Sequence, residues 1–292
     1  MQIFHLGLHK TGTTSLQKNL FAVGKATYHG QRGPAWESHR QTWLDFFTGK
    51  HLAPLSWNDN FVFSYEGTLL RSSGMSGVEC LARQIAENFG DAKILITVRE
   101  PSALLVSAYF NSLRLRRSAM GFRNGEPVFR ESVRFMHFEE WWEKLRNSPE
   151  ISLAGLLDYP GLRTALGKWV DPEKVFFLKL EEMADRSQSC SAKLLKLGFD
   201  QDAIDRLLHA PPENTGVDKK LQKERPFAFA LGRKLTRAGM ARPLTFALRA
   251  SGLIRPAQKI LYGGNYRARS GIDQKLLEDI RGEYRAAFES LT

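Results

Sequence analysis

The sequence predicts an α/β fold, a P-loop-like parallel β-sheet flanked by helices, with a basic helical extension at its C-terminal end. Three observations carry this. Short apolar runs recur near residues 2–6, 60–64, 93–98 and 175–178, as expected of strands covered on both faces. Segments with apolar residues at helical spacing lie between them, and strands alternating with helices imply parallel pairing. The first run also passes directly into Gly7-Leu8-His9-Lys10-Thr11-Gly12-Thr13-Thr14-Ser15. Such a glycine- and hydroxyl-rich loop opening a helix lets backbone N–H groups and the helix dipole converge on an anion.

In chain order, Thr14 to Phe21 reads as the first helix and Glu37 to Phe47 as the second. Asn60 to Ser64 reads as a strand ending at Tyr65-Glu66-Gly67. Gly77 to Phe89 carries Val78, Leu81, Ile85 and Phe89 on one face and is closed by Gly90, an amphipathic helix with its stop signal. Lys93 to Val98 is a buried strand, and Pro101 suits the first turn of a helix running to about Leu115. A helix near Leu162 to Trp169 precedes the strand Val175 to Leu178. Trp141 and Trp142, with Phe135, Phe138 and Leu145, fit a packed helix rather than a sugar platform. Strand signals stop near Pro211, and the last helix spans Asp273 to Leu291. The expected division is an α/β core over 1–210 and a basic helical segment over 211–292 packed on it.

The 292 residues are enough for a large core, and no run of about 18 apolar residues is present to span a membrane. No signal peptide is visible, and Cys80 and Cys190 lack metal-ligand spacing, so reduced thiols and a cytoplasmic location are expected. The net charge of +11 favours anionic partners. Arg114, Arg116, Arg117 and Arg123 form one basic cluster, and Pro226 to Ile272 contains no Asp or Glu but nine Lys and Arg residues. Phenylalanines and leucines interleave with those arginines. That composition suits a lid over an acidic acceptor, peripheral contact with an anionic membrane, or an ordinary helical subdomain with a solvated basic face.

The spacing Gly7-x-x-x-x-Gly12-x-Thr14 fits a P-loop, but Thr13 stands where its lysine belongs and the lysine is at position 10. In parallel sheets, ligands bind at the carboxyl ends of strands. Lys10, Glu66, Arg99 and the pair Glu181-Glu182 all follow strand ends. Ser107 lies about two helical turns beyond Arg99, so a guanidinium and a hydroxyl together offer a second phosphate site. Glu181 and Glu182 are expected to be ion-paired rather than catalytic, since no metal-binding companions accompany them.

With these motifs in place, the sequence resembles the sulfotransferases that use 3′-phosphoadenosine 5′-phosphosulfate (PAPS), in particular bacterial members related to carbohydrate sulfotransferases. The loop from Gly7 to Leu16 is similar to the family's 5′-phosphosulfate loop. Arg99-Glu100-Pro101 followed by Ser107 is similar to its 3′-phosphate motif, and Val175 to Met183 to a strand-and-acid segment. The resemblance covers residues 1 to about 200. It implies that Lys10 meets the bridging oxygen of the phosphosulfate, and that Thr11, Gly12, Thr13, Thr14 and Ser15 hold the 5′-phosphate. It implies that Arg99 and Ser107 hold the 3′-phosphate, and that adenosine 3′,5′-bisphosphate (PAP) is the product. His9 is placed in the donor loop, with shaping of the backbone its expected part. Lys219, Lys220, Lys223 and Arg225 are candidates for the late basic segment that completes the family's donor site.

Sulfuryl transfer is an in-line displacement in which charge builds on the leaving phosphate, so a positioned cation there favours the transition state. The leaving group is already good, so no metal ion is required. The acceptor hydroxyl or amine needs a base. Glu66 is the candidate because its strand delivers it near Lys10, and a histidine is the alternative, as in family members acting on small phenols and steroids. The implied acceptor is a carbohydrate or glycolipid, with its pocket built from 28–58, 112–135 and 226–270. A nucleotide-dependent small-molecule kinase is the first rival reading, weakened by Thr13 and by the lack of a strand-ending Asp for magnesium. A non-enzymatic nucleic-acid binder rests on charge alone, and no recognition motif supports it.

Overall fold

A computed structural model describes residues 1–8, 10–30, 46, 60–65, 68–71, 74–115, 122–123, 126–127, 137–149, 152–210 and 272–291. Five strands form one sheet: β1 (Gln2–His5), β2 (Thr27–Gly30), β3 (Phe61–Ser64), β4 (Lys93–Val98) and β5 (Val175–Lys179). Their order is β2-β3-β1-β4-β5, and all four pairings are parallel. The first strand is therefore central, and the chain moves to one side of it for β2 and to the other for β4. A crevice at the carboxyl ends follows from that change of direction. A separate two-residue ladder pairs Phe122–Arg123 with Glu126–Pro127.

Side chains alternate across this sheet, so each strand feeds two apolar layers. Phe4, Phe61, Phe63, Ile94, Ile96 and Phe177 join one buried cluster, and Ile3, Val62, Leu95 and Leu178 join the other. On the first face lie α3 (Gly74–Asn88), α4 (Pro101–Leu115), α5 (Phe138–Arg146) and α6 (Tyr159–Gly167). They follow α1 (Thr13–Leu16) and the short α2 (Thr68–Arg71) in chain order. Trp141 and Trp142 are buried in this layer, as the helix pattern predicts. The opposite layer is built by α1 and its π-helical continuation Gln17–Phe21, and by α8 (Gln188–Leu197) and α9 (Gln201–His209). Before them α7 (Leu180–Ala184) follows directly on β5. Ser187 and Asp200 cap α8 and α9 by accepting backbone N–H bonds, the role for which their short polar side chains are suited.

The last helix, α10 (Gln274–Glu289), packs on the first face, where Ile272, Ile280 and Leu291 are buried. The Trp142 and Tyr284 rings meet edge to face at 6.4 Å. Strand β2 was not foreseen: residues 28–30, assigned to an acceptor loop, pair with β3. The sequence Thr27-Tyr28-His29-Gly30 has too few apolar residues to announce an edge strand. The expected helix over 37–47 falls outside the described residues apart from Phe46, and the basic stretch 226–272 does so apart from Ile272. Lys219, Lys220, Lys223, Arg225, Arg116 and Arg117 also lie outside them.

Candidate active site

Two loops meet at the carboxyl edge of the sheet. The first leaves β1, and its backbone takes the left-handed region at Lys10 (φ 70°) and at Gly12 (φ 81°). Glycine enters that region freely, whereas a lysine there costs about 1–2 kcal/mol. Gly12 is the N-cap of α1 and brings no side chain to cap it. The Ser15 and Leu16 N–H groups turn back to the Gly12 carbonyl, while the first N–H groups of a helix have no partner within it. The loop thus combines a lysine with an uncapped helix start, a pairing that suits a phosphate or sulfate group.

Gly7 is required for space rather than for backbone angle. A Cβ there would lie 2.4 Å from Thr13 Cγ2, 2.6 Å from Thr97 Oγ1 and 2.9 Å from His5 Nε2. Thr11 is fully buried, and its hydroxyl is committed beneath the loop to the Leu8 carbonyl at 2.6 Å and to Thr97 Oγ1 at 2.8 Å. Its N–H, rather than its hydroxyl, is therefore the group to consider for an anion. Thr13 and Thr14 are buried, and Ser15 Oγ accepts from the Asn19 amide at 3.4 Å.

The second loop follows β4. Arg99 Nη1 donates to the Lys10 carbonyl at 3.3 Å, which ties the two loops together. Behind it, the Tyr159 hydroxyl donates to the Arg99 carbonyl at 3.0 Å. Burial, with the nearby Glu181 carboxylate adding to it, pushes the Tyr159 hydroxyl well above its ordinary range and keeps it a donor. Glu100 caps α4: its carboxylate accepts from the Ser102 and Ala103 N–H groups at 3.0 and 2.9 Å, and from the Ser102 hydroxyl at 2.7 Å. Its own N–H donates to Glu181 Oε1 at 3.1 Å. Arg281 of α10 approaches Glu100 at 3.8 Å, so the last helix braces this loop. Ser107 lies half-buried in α4.

Glu182 pairs with Lys193 at 2.9 Å, as expected of a structural acid, whereas Glu181 braces the backbone of the Arg99 loop. Lys179, at the end of β5, has its ammonium 4.9 Å from the Phe288 ring centroid, and desolvation lowers its pKa. Glu66 and His9 lie outside the described residues, although β3, which leads to Glu66, adjoins β1 with His5 opposite Ser64. Among the described residues no group of His, Cys, Asp and Glu has the arrangement of a metal site, and no helix is long and apolar enough to cross a membrane.

Sequence reasoning missed the polar row under the loop. His5, Ser64 and Thr97 occupy one face at the ends of β1, β3 and β4, each two residues after an apolar residue of that face, Ile3, Val62 and Leu95. The available signal was a polar residue two positions after an apolar one in each of three strands. Glu100 as helix cap and Tyr159 as brace had no signal in their local sequence.

Comparison with known proteins supplies the family. The sequence model of the sulfotransferase domain matches residues 2–152, just over half of the 292 residues. A sulfotransferase from Alicyclobacillus acidocaldarius is a structural neighbour at 17% identity and a TM-score of 0.45, covering 83% of this chain and 94% of its own. A search of curated proteins finds no match. With the loops after β1 and β4 on adjoining strands and the domain match spanning them, the chain belongs to the sulfotransferase domain family and is a sulfuryl-transferring enzyme.

Proposed function

We propose that the enzyme uses PAPS as donor and transfers its sulfuryl group to a hydroxyl or amine of a carbohydrate or glycolipid, leaving PAP. The observation that carries the donor reading is the hydrogen bond from Arg99 to the Lys10 carbonyl. It joins a loop suited to one phosphate to a guanidinium suited to another, and two separated phosphates distinguish this donor from ATP or AMP. The loop N–H groups of residues 11–14 and the Thr14 and Ser15 hydroxyls hold the 5′ end, with His9 shaping the loop. Arg99 and Ser107 hold the 3′-phosphate. Lys10 neutralises the charge that grows on the leaving phosphate, where a fixed cation helps the transition state most.

Glu66 takes the proton of the acceptor, since it follows β3 beside the loop-bearing β1. The donor supplies an activated sulfuryl group, so the protein's part is to orient, to neutralise and to accept a proton. The acceptor class rests on the motif resemblance, and peripheral contact with an anionic membrane on the composition of 226–272. A cytoplasmic setting follows from the two free cysteines and the donor nucleotide.

Titration calorimetry with adenosine 3′,5′-bisphosphate and with AMP tests the donor reading. The bisphosphate is expected to bind at least about 100-fold more tightly, the equivalent of two charge-assisted hydrogen bonds. Equal affinities would remove Arg99 and Ser107 from donor recognition.

A further inference from the structure

With the Gln17 amide nitrogen facing Ser64, the polar row beneath the donor loop admits one consistent arrangement of protons. A carbonyl only accepts, so the single Thr11 hydroxyl proton goes to the Leu8 carbonyl, 2.6 Å away. Thr11 must then accept from Thr97 across 2.8 Å, which commits the Thr97 proton. Thr97 in turn accepts from His5 Nε2 at 3.1 Å, so Nε2 carries hydrogen. At the far end, the Gln17 amide nitrogen donates to Ser64 Oγ at 3.1 Å, and Ser64 lies 2.7 Å from His5 Nδ1. Ser64 is fully buried, and His5 Nδ1 is the acceptor within its reach. A proton on Nδ1 as well would leave that hydroxyl hydrogen without an acceptor among the described residues, a costly state for a buried group.

The result is a one-way chain, Gln17 to Ser64 to His5 to Thr97 to Thr11 to the Leu8 carbonyl. All five side chains are at most 2% exposed. His5 is its hub. The rigid imidazole spans from the end of β3 to the end of β4, and its ring is steadied by Phe21, with centroids 5.2 Å apart. On the same face Ile3 and Val62 lie one step below His5 and Ser64, and Leu95 stands opposite His5, so apolar side chains would have sufficed for packing alone. What the polar row adds is direction and fixed spacing among three strand ends, which lead to Lys10, Glu66 and Arg99. A fully satisfied buried network specifies one geometry in a way that apolar contact does not.

We propose that His5, held as the neutral Nε2–H tautomer, is the positioning residue for the donor loop, acting through Thr97 and Thr11 on the backbone that carries Lys10. The inference rests on the donor reading above. It is separable from that reading, because the tautomer can be observed without any nucleotide.

The test uses the full chain and its His5→Gln, His5→Asn and Thr97→Val variants. In wild-type protein with ¹⁵N-labelled histidine at neutral pH, His5 should show one protonated ring nitrogen, Nε2. A doubly protonated ring, or a proton on Nδ1 alone, overturns the proposal. Glutamine can place an amide N–H near the Nε2 position, whereas asparagine reaches only the Nδ1 position. His5→Gln is therefore expected to bind adenosine 3′,5′-bisphosphate within a few-fold of wild type. His5→Asn is expected to lose about 100-fold, the scale of a misplaced binding group. Thr97→Val cuts the same arm from the other side and should match His5→Asn, which keeps the test decisive if His5→Asn does not fold. Equal losses in His5→Gln and Thr97→Val, or wild-type affinity in Thr97→Val, would reduce the row to packing and overturn the positioning role. Failure of the wild type itself to bind the bisphosphate would overturn the donor reading instead, with the ring-nitrogen signals still deciding the tautomer.

Discussion

Replacing Gly7 by alanine adds one methyl group at the most crowded point of the loop. Carbon atoms in contact sit about 3.5–4.0 Å apart, yet this methyl would meet Thr13 Cγ2 at 2.4 Å, Thr97 Oγ1 at 2.6 Å and His5 Nε2 at 2.9 Å. Relief requires a shift of about 1 Å at the first of these. None of the three neighbours is free to give way: Thr13 begins α1, and the other two are hydrogen-bonded in the buried row. Overpacking of a filled core costs about 1–3 kcal/mol, and a site with three blocked neighbours belongs at the upper end. Gly282 provides the control, because it lies in the exposed part of α10 and a Cβ there meets nothing within 4 Å. Gly282→Ala should stabilise by about 1 kcal/mol through helix propensity alone. Urea unfolding of both variants beside wild type measures the difference, read from midpoints at unchanged m-value. A Gly7→Ala midpoint within about 0.5 kcal/mol of wild type, below the overpacking range, would refute the packing described for the loop.

Lys10→Ala should lower sulfuryl transfer by about 10²–10³-fold, as loss of one preorganised charge at a reacting centre does, with the unfolding midpoint little changed; an unaltered turnover number would take Lys10 out of the chemistry. Glu66→Gln keeps the shape of the side chain and should retain affinity for the bisphosphate while losing rate, so steady-state kinetics showing intact rate would reassign the base. Burial pushes the Cys190 thiol from 9.0 up to about 11. Between those values the unfolded chain has released the proton that the native state still holds, so this group's contribution to stability falls as pH rises through that window and is constant below it. Unfolding midpoints measured across the window should decline less in Cys190→Ala than in wild type. At neutral pH the same burial should leave Cys80, which is partly exposed, the faster of the two to alkylate.

Much of this molecule is legible in its sequence because the signals are local. Strand β4 and α4 appear with the boundaries their residues imply, since an apolar run ending in Arg99-Glu100-Pro101 carries both the strand and the helix start. The loop after β1 is equally local: Gly7, Lys10 and Gly12 stand within one turn of chain, and each has a backbone or charge reason for its place. β2 was missed because an edge strand with two polar residues has no periodicity to betray it. What only the tertiary structure decided is how the loops are held. The bond from Arg99 to Lys10 spans 89 positions, that from His5 to Thr97 92, and that from Tyr159 to Arg99 60. No local pattern encodes such pairings, because they depend on β1 and β4 lying side by side and on α6 beginning beside the Arg99 loop. The sequence by itself determined which charged residues follow the strand ends, Lys10 after β1 and Arg99 after β4. The sheet order decided that these two loops meet, over a buried polar row that joins three strand ends.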